Sequence, residues 1–367
     1  MVKFKCERDV LSEALQTVQR GVSTRPGIPA LTGVLMAVDA EGLRLTTTDL
    51  EVTTEVRIPV DAQEEGTALV PARLIAEMVK ALPPDAVEFD ADGAQARVSC
   101  RSFEGVLRCL AAEDFPVLRG AEGVKVTVEA GAFAEGVAQV ARAASRDEAR
   151  PILTGVLVEA SPEGITLAAT DSYRLAFREL TATGDGEAKA LVPERAISEA
   201  ARAASGEEKG EVALVLGPAQ ATFRVGSLTL TSRLIEGEFP NYRQLIPEPG
   251  ENRLSAPRQE LLEAIRRVGL LARENSPIRL ELNALGARLT SSSPDLGGAV
   301  EAVEASYEGE ELTVAFNPHY VADGLAGVVG EKVQVELRDG LKPAVLRGDG
   351  DEFTYLVMPV RLPAAVG

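Results

Sequence analysis

Residues that could carry acid–base, nucleophilic or metal chemistry are few and scattered in this sequence. His319 is the single histidine, and it follows Asn317-Pro318 where a helix is expected to begin. A catalytic triad or a histidine-based acid–base site would need this residue, whereas a polar residue at a helix start is the simpler interpretation. The 56 acidic residues show no metal-binding spacing. We therefore expect no catalytic residue, no cofactor and no metal.

A repeated Thr-Asp pair is the second chemical candidate. Thr48-Asp49 and Thr170-Asp171 each follow an apolar segment that is typical of a strand. A carboxylate site is one interpretation. The favoured one is a turn, because Asp and Thr side chains at the end of a strand bond to their own backbone.

The three cysteines, Cys6, Cys100 and Cys109, show no CxxC spacing and are odd in number. We interpret them as reduced thiols of an intracellular protein. The first ten residues lack the apolar stretch of a signal peptide, and no apolar run approaches the ~20 residues that a membrane span needs. We therefore expect a cytoplasmic protein.

The Thr-Asp pairs belong to a long internal repeat. Leu31–Leu50 returns at Leu153–Ser172 with 10 of 20 positions identical, at an offset of 122 residues. The same offset carries Leu69-Val70-Pro71 onto Leu191-Val192-Pro193. A unit of about 120 residues fits three times into the 367-residue chain. The third copy preserves the order of elements but few residues.

Each repeat is predicted to contain two amphipathic helices and a run of antiparallel strands. Helical stripes at about Asp9–Arg20 and Leu74–Leu82 alternate with strands such as Val34–Val38 and Leu43–Thr48. This predicts an α+β fold of three tandem similar domains, each with two helices packed on an antiparallel sheet. The predicted domains are residues 1–121, 122–246 and 247–367. In such an array a sheet can continue from one repeat into the next.

Charge gives two conflicting indications about nucleic acid. The formal net charge is −18, which argues against a phosphate backbone as partner. Basic residues nevertheless recur on or beside the predicted helices: Arg25, Arg73, Lys80, Arg146, Arg150, Arg195, Arg202, Arg266 and Arg267. If all helices line one side, that side is positive. The alternative is a solvated face with ion pairs to Glu77 and Glu199, and spacing alone favours neither.

The chain ends in an apolar segment, Tyr355–Leu362, with almost no charge. A last core strand is the usual interpretation, but Pro359 lacks the N–H that a central ladder needs. The segment can instead leave apolar side chains at a groove for a peptide.

Several motifs together resemble the bacterial DNA polymerase III beta subunit family, the sliding clamps. They extend over the whole chain: Arg25-Pro26, Leu45–Leu50, Leu69-Val70-Pro71, Ala169–Leu175, Gly237–Tyr242, Phe316-Asn317 with Tyr320, and Val357–Leu362. The resemblance implies the DNA clamp fold, closed as a head-to-tail dimeric ring whose helices line a hole around duplex DNA. It also implies contact with DNA without sequence specificity, so the basic residues face inward and most of the negative charge lies outside.

The resemblance further implies a pocket for a short peptide motif of the DNA polymerase III alpha subunit, the clamp loader and other proteins with a clamp-binding motif. The positions that match it are Leu153, Thr170, Tyr173, Arg174, Leu175, Pro240, Leu245, Tyr320, Pro343, Val357, Met358, Pro359, Val360 and Arg361.

For the homodimer we expect the strand near Leu107 to meet the helix end at Leu270 and Leu271 of the other chain. Arg101 or Arg108 would pair there with Glu301 or Glu304. Two other functions remain open at this point. One is a repeat scaffold that binds proteins but no DNA. The other is a hydrolase or transferase that uses acidic residues, which the single histidine and the lack of metal-binding spacing disfavour.

Overall fold

A computed structural model describes residues 1–22, 27–116, 120–207, 210–272, 276–348 and 352–361. The chain divides into two compact units. The first consists of Met1–Ala130 with Gly206–Leu234, and the second of Gly131–Ser205 with Ile235–Gly367. Each unit combines parts of two repeats. The predicted domain boundaries follow the repeats instead, and they stay a prediction.

In its described residues the first repeat forms nine strands and two α-helices. These are β1 (Val2–Glu7), α1 (Arg8–Val18), β2 (Gly33–Asp39), β3 (Gly42–Thr48), β4 (Val52–Ile58), β5 (Asp61–Glu64), β6 (Gly66–Pro71), α2 (Ala72–Ala81), β7 (Ala86–Ala91), β8 (Gln95–Cys100) and β9 (Phe103–Arg108).

The second repeat follows the same order, with one strand fewer between its helices. It contains β10 (Val124–Glu129), α3 (Ala130–Val140), β11 (Gly155–Ser161), β12 (Gly164–Thr170), β13 (Arg174–Gly184), β14 (Ala188–Pro193), α4 (Glu194–Ala204), β15 (Glu211–Leu216), β16 (Gln220–Val225) and β17 (Leu228–Arg233).

The third repeat preserves this order although its sequence has diverged. It contains β18 (Asn252–Pro257), α5 (Arg258–Gly269), β19 (Ile278–Asn283), β20 (Gly286–Ser293), β21 (Gly297–Val303), β22 (Ser306–Glu308), β23 (Leu312–Phe316), α6 (Pro318–Gly327), β24 (Lys332–Leu337), β25 (Ala344–Gly348) and β26 (Phe353–Val357).

Helix α2 illustrates how the apolar pattern forms these helices. Ile75 and Val79, one turn apart, are buried, whereas Arg73 and Lys80 are exposed. The predicted stripe also included Leu74, which was wrong: this side chain is 48% exposed. The buried residues Ala72, Ile75, Ala76 and Val79 share one face of α2, and at about 100° per residue Leu74 lies on the opposite side of the helix.

Two sheets form the first unit, and all their pairings are antiparallel. One has the strand order β5-β1-β7-β8-β9. In the other, successive pairings give the order β10-β15-β16-β17-β4-β3-β2-β6. The second sheet therefore contains strands of the first and second repeats.

The second unit is built in the same way. Its larger sheet runs β14-β11-β12-β13-β26-β25-β24-β18-β22, and a smaller one runs β21-β20-β19-β23. Here the larger sheet contains strands of the second and third repeats.

The same strand pairing joins neighbouring repeats in both units. Val52 of β4 lies opposite Ser232 of β17, and Arg174 of β13 lies opposite Val357 of β26. The 122-residue offset relates Val52 to Arg174, so the two joints have equivalent registers. The expectation that a sheet continues from one repeat into the next is thus confirmed. In the described part of the chain, the equivalent strands β21 and β9 are edge strands.

Candidate functional site

A tight turn between β12 and β13 forms one side of the predicted peptide pocket. The Thr170 hydroxyl donates to the Arg174 carbonyl (2.6 Å). Asp171 Oδ1 accepts from the backbone N–H groups of Tyr173 (2.9 Å) and Arg174 (3.0 Å). Ser172 adopts a left-handed φ of 80°. These bonds hold Tyr173 at the surface, with its side chain 57% exposed.

The first repeat builds the same turn between β3 and β4. The Thr48 hydroxyl donates to the Val52 carbonyl (3.0 Å). Asp49 Oδ1 accepts from the N–H groups of Glu51 (3.1 Å) and Val52 (2.7 Å), and Leu50 has a φ of 78°. Both Thr-Asp pairs therefore bond to their own backbone, which confirms the turn interpretation.

A buried charge network lies beneath the second turn. The Arg174 side chain is 11% exposed, its Nε donates to Asp171 Oδ2 (3.0 Å), and its Nη1 donates to Asp323 Oδ2. Its guanidinium lies 4.5 Å from the centre of the Tyr320 ring. Burial disfavours the charged form of Arg174, but interactions with Tyr355, Asp323 and Asp171 outweigh this and raise its pKa. The guanidinium therefore stays charged and supports the Tyr320 ring from below.

Tyr355 couples this network to helix α6. It is fully buried, and its hydroxyl donates to the Tyr320 carbonyl (2.8 Å). Burial raises the pKa of this phenol, so it remains a proton donor at neutral pH. Tyr320 is thus held through its ring by Arg174 and through its backbone by Tyr355.

Apolar and aromatic side chains lie exposed above this network. Tyr173 stacks on Tyr320, with ring centres 6.3 Å apart. The Met358 N–H donates to the Tyr173 carbonyl (2.8 Å), and the Val360 N–H donates to the Ala315 carbonyl (2.7 Å). Met358 and Val360 are 40% and 37% exposed. The terminal segment is therefore tied to its neighbours through its backbone while these two side chains remain accessible.

Strand β26 ends at Val357, two residues before Pro359. This agrees with the expectation that the proline does not continue a central ladder. Arg361 is exposed and is the last described residue. Ala344, the residue after Pro343, pairs with Val357, so the strand that follows Pro343 lies beside the terminal strand.

The segment after β17 supplies a further group of pocket residues. A 3-10 turn at Tyr242–Leu245 leaves Leu245 52% exposed and Tyr242 buried. Tyr242 packs in a core cluster with Leu175 and Leu356, against which Phe239 also packs. Leu153 and Thr170 are buried, whereas Pro240 is exposed. The predicted pocket residues all lie in the second unit, as a mixture of buried supports and exposed contacts.

Sequence reasoning missed Asp323, which completes the charge network. It lies 149 residues from Arg174 in the chain. Because an acidic residue on a polar helix face is ordinary, no local signal marks this partner.

The predicted DNA-facing residues lie at the surface wherever they are described. Arg25 lies outside the described residues. Arg73, Lys80, Arg146, Arg150, Arg195, Arg202, Arg266 and Arg267 are all exposed.

Several of these cations form ion pairs within the chain, among them Arg73, Arg150, Arg202 and Arg267. Arg73 pairs with Glu77 (2.9 Å) and Arg202 with Glu199 (3.0 Å). Arg150 pairs with Asp147 (3.0 Å), and Arg267 pairs with Glu301 (2.6 Å). Exposed pairs of this kind contribute little to stability, so a phosphate can compete for these cations.

The residues predicted for the dimer contact differ in exposure. Leu107 on β9 is buried, whereas Leu270 is 78% exposed and Leu271 is half-buried. Glu301 accepts two hydrogen bonds from Arg267, and Glu304 is exposed.

His319 is exposed, and its backbone N–H donates to the Asn317 side chain (2.9 Å) at the start of α6. Among the described residues, no cluster of three or more His, Cys, Asp or Glu could hold a metal ion. No helix in the same residues is long and apolar enough to cross a membrane.

Three family models together match nearly the whole chain, and each describes one domain of the DNA polymerase III beta subunit. The N-terminal domain model matches residues 2–119, the central domain model matches residues 127–241, and the C-terminal domain model matches residues 243–361.

Individual relatives match over their full length. The beta sliding clamp of Streptomyces coelicolor is 37% identical, over 98% of this chain and 100% of the relative. The beta sliding clamp of Synechococcus elongatus is 35% identical, with the same coverage.

Solved structures agree with these matches. The sliding clamp of Pseudomonas aeruginosa bound to griselimycin aligns with a TM-score of 0.94 at 32% identity, covering 98% of this chain and 100% of that chain. The DNA polymerase sliding clamp of Bacillus subtilis aligns with a TM-score of 0.94 at 29% identity, covering 99% and 100%.

Proposed function

This chain belongs to the DNA polymerase III beta subunit family, and from that premise we propose how its surfaces serve a sliding clamp. As a clamp it encircles duplex DNA without reading its sequence, and it tethers the replicative polymerase as a non-catalytic processivity factor. The observation that carries this function is the match of three successive domain models along one chain.

We infer that Tyr173, Leu245, Met358 and Val360 border a groove that takes a short peptide of the DNA polymerase III alpha subunit, the clamp loader or another protein with a clamp-binding motif. The exposed side chains of Tyr173, Leu245, Met358 and Val360 support this. Exposed apolar side chains that lie next to one another mark protein-binding surfaces, and the backbone bond from Met358 to Tyr173 places these two residues side by side. Because Arg174 is neutralised by two carboxylates, we expect the groove to select apolar side chains.

We further propose that a second copy closes the chain into a head-to-tail dimeric ring of six domains. Support comes from the edge strands β9 and β21, which occupy the places of the strands that join the repeats. Large apolar side chains are exposed along both edges, including Val106, Val300 and Leu296. An exposed apolar strand edge favours pairing with another chain.

The internal joints predict the register of this pairing. Ser232 of β17 corresponds to Leu107 of β9, because the β16–β17 and β8–β9 pairings differ by a constant 125 residues. Val52, Arg174 and Gly297 of β21 also correspond, because they lie opposite Asp49, Asp171 and Ser293, which are spaced 122 residues apart. Leu107 should therefore lie opposite Gly297 of the second copy, and Phe103 opposite Glu301.

We propose that the exposed cations of the helices and their flanking turns face the DNA. The total charge of −18 does not oppose this, since a ring held by topology needs only weak backbone contacts. Such contacts also permit sliding. We place the protein in the cytoplasm and the domain boundaries at 121/122 and 246/247.

The test is retention on DNA after loading by the clamp loader. The protein should stay on closed circular DNA and leave the same DNA once it is linearised. Reversing Arg73, Lys80, Arg195 and Arg202 to Glu should shorten the products of DNA synthesis. The repeat scaffold that binds no DNA predicts no retention in either case.

The double variant Arg73→Glu with Arg202→Glu has a matched control, which reverses two strand arginines that also pair with glutamates. Arg97 pairs with Glu104 (3.3 Å) and Arg288 with Glu281 (3.1 Å). Arg97→Glu with Arg288→Glu should leave the product length unchanged. An equal loss in the control would show that charge alone, and not its place on the helices, determines processivity.

A further inference from the structure

The segment that carries Leu245 has little backbone support of its own. The Ile235 N–H donates to the Leu191 carbonyl of β14 (2.8 Å), and the Gln244 N–H makes only a local bond to Asn241 (3.3 Å). Prolines at 240, 247 and 249 supply no N–H donor. Side chains must therefore help to fix this wall of the groove.

One carboxylate holds two consecutive residues of that segment. Glu159 Oε2 on β11 accepts from the Tyr242 hydroxyl (2.9 Å) and from Arg243 Nη1 (2.6 Å). The Arg243 guanidinium also lies 4.9 Å from the centre of the Tyr242 ring. The remaining oxygen of Glu159 pairs with Lys189 Nζ (2.7 Å) on β14. The Glu159 side chain is 12% exposed.

Tyr242 links this attachment to the buried cluster that contains Leu175 and Leu356, which we call the floor of the proposed groove. Its ring packs against Phe177 and Phe239, with centres 5.7 Å and 6.3 Å apart. It shares a buried cluster with Leu175. Displacement of the Tyr242 ring would therefore disturb both the floor and Leu245.

The charge states suit this arrangement. Burial acts to raise the pKa of Glu159, but bonds from Lys189, Arg243 and Tyr242 outweigh it and hold the pKa below its usual value. Burial and the Glu159 carboxylate raise the pKa of the Tyr242 phenol. At neutral pH the acceptor is thus ionised and the donor protonated, which gives a strong hydrogen bond.

The other repeats do not use this position in the same way. Its equivalent is Ala37 in the first repeat and Glu281 in the third. Glu281 bonds Arg288 on its own hairpin (3.1 Å). In the described residues, the second repeat is thus the one in which a carboxylate at this position binds the segment that follows its last strand. It is also the repeat whose β12–β13 turn borders the proposed peptide groove.

We propose that Glu159 is a positioning residue for the peptide groove, which fixes the Leu245 wall by binding Tyr242 and Arg243. The proposal rests on the proposed function of the groove as a peptide site. Glu159 lies on the hairpin beneath the segment, so it acts through Tyr242 and Arg243.

The test measures binding of a fluorescent peptide that covers the clamp-binding motif of the host's DNA polymerase III alpha subunit. Glu159→Leu should weaken binding about tenfold, since it removes a charged hydrogen-bond acceptor. Glu159→Gln keeps an acceptor oxygen and should recover most of the affinity. Arg243→Met and Tyr242→Phe should each weaken binding while leaving Glu159 in place, and the Glu159→Leu, Arg243→Met pair should be no weaker than Glu159→Leu alone.

Lys189→Met is the matched control, because Lys189 binds the same carboxylate from a strand outside the segment. It should leave peptide affinity unchanged, and the dimer mass and melting temperature should stay constant in Glu159→Gln and Arg243→Met. Wild-type affinity in both Glu159→Leu and Arg243→Met overturns the proposal, and so does an equal loss in Lys189→Met. If the wild-type protein itself fails to bind the peptide, the proposed peptide site fails instead.

Discussion

Asp171 and Asp49 accept the same backbone hydrogen bonds in equivalent turns, but the residue three positions later differs. It is Arg174 in the second repeat and Val52 in the first. Asp171 Oδ2 pairs with the buried Arg174 guanidinium, whereas Val52 carries no charge. One residue change thus converts a structural turn into part of a charged support for Tyr320.

This difference makes Asp171→Asn and Asp49→Asn a matched pair. Asn retains an oxygen for the turn, so Asp49→Asn should cost about 0.5 kcal/mol of unfolding free energy. Asp171→Asn also deprives a buried guanidinium of one carboxylate, so we expect a loss of about 2 kcal/mol. Chemical denaturation measures the two losses of stability. In a peptide-binding assay, only Asp171→Asn should lower the affinity for the peptide. Equal losses of stability in the two variants would contradict the role assigned to Arg174.

At the residue scale, hydrogen bonds between residues close in sequence could be predicted, whereas bonds between distant residues could not. The repeated Thr-Asp pairs could be interpreted as turns because their acceptors lie within four residues. The bonds of Arg174 to Asp323 and of Tyr242 to Glu159 cross 149 and 83 residues. Only the strand pairing of β13 with β26 and the packing of Tyr242 bring those groups together.

At the element scale, helix α6 packs closely against the terminal strand at two glycines. A Cβ added to Gly324 would lie 2.5 Å from Tyr355 Cδ1, and one added to Gly327 would lie 2.8 Å from Phe353 Cζ. Both rings belong to β26 and are fully buried. The two glycines therefore set the distance between α6, which carries Tyr320, and the sheet.

Gly324→Ala should destabilise the protein, although alanine is the better helix former by about 1 kcal/mol. The extra methyl group collides with a buried ring, and overpacking of this kind costs about 1–3 kcal/mol. The change in melting temperature on thermal unfolding shows which of the two effects is larger. Peptide affinity should fall as well, because a shifted α6 displaces Tyr320. A gain in melting temperature would show that the helix has room to move, and that Gly324 does not set the spacing.

Most elements could be predicted from periodicity, and two of the exceptions share a physical reason. The hairpins β2–β3 and β11–β12 and the amphipathic helices follow clear patterns in the sequence. Strands β6 and β14 were not predicted, because each is a short apolar run that leads directly into a helix through Pro71 or Pro193. Both prolines are the last residue of the strand and precede the first helical residue. Local pattern cannot separate the end of such a strand from the start of the helix.

At the scale of the whole molecule, the order of the repeats explains why one chain leaves the edges of β9 and β21 unpaired in its described part. Each internal joint places a strand equivalent to β4 beside one equivalent to β17. Three consecutive repeats form two such joints, so β9, equivalent to β17, and β21, equivalent to β4, remain without this partner in the described chain. A head-to-tail dimer pairs these two strands twice, which removes all such edges at once.

The register in which β9 pairs with β21 of the second copy can be tested by placing either an acidic or a basic side chain at position 103. Phe103 should lie opposite Glu301 of the second copy, and directly opposed like charges destabilise a strand pair. Phe103→Glu should therefore shift the mass in solution from twice 38.8 kDa towards 38.8 kDa. Phe103→Lys loses the same aromatic ring but places a cation opposite the carboxylate, so it should remain more dimeric than Phe103→Glu. Sedimentation at low and high salt gives the measurement, and the difference between the two variants should shrink as salt screens the charges. Equal dissociation of both variants at low salt would show that the edge strands meet in another register.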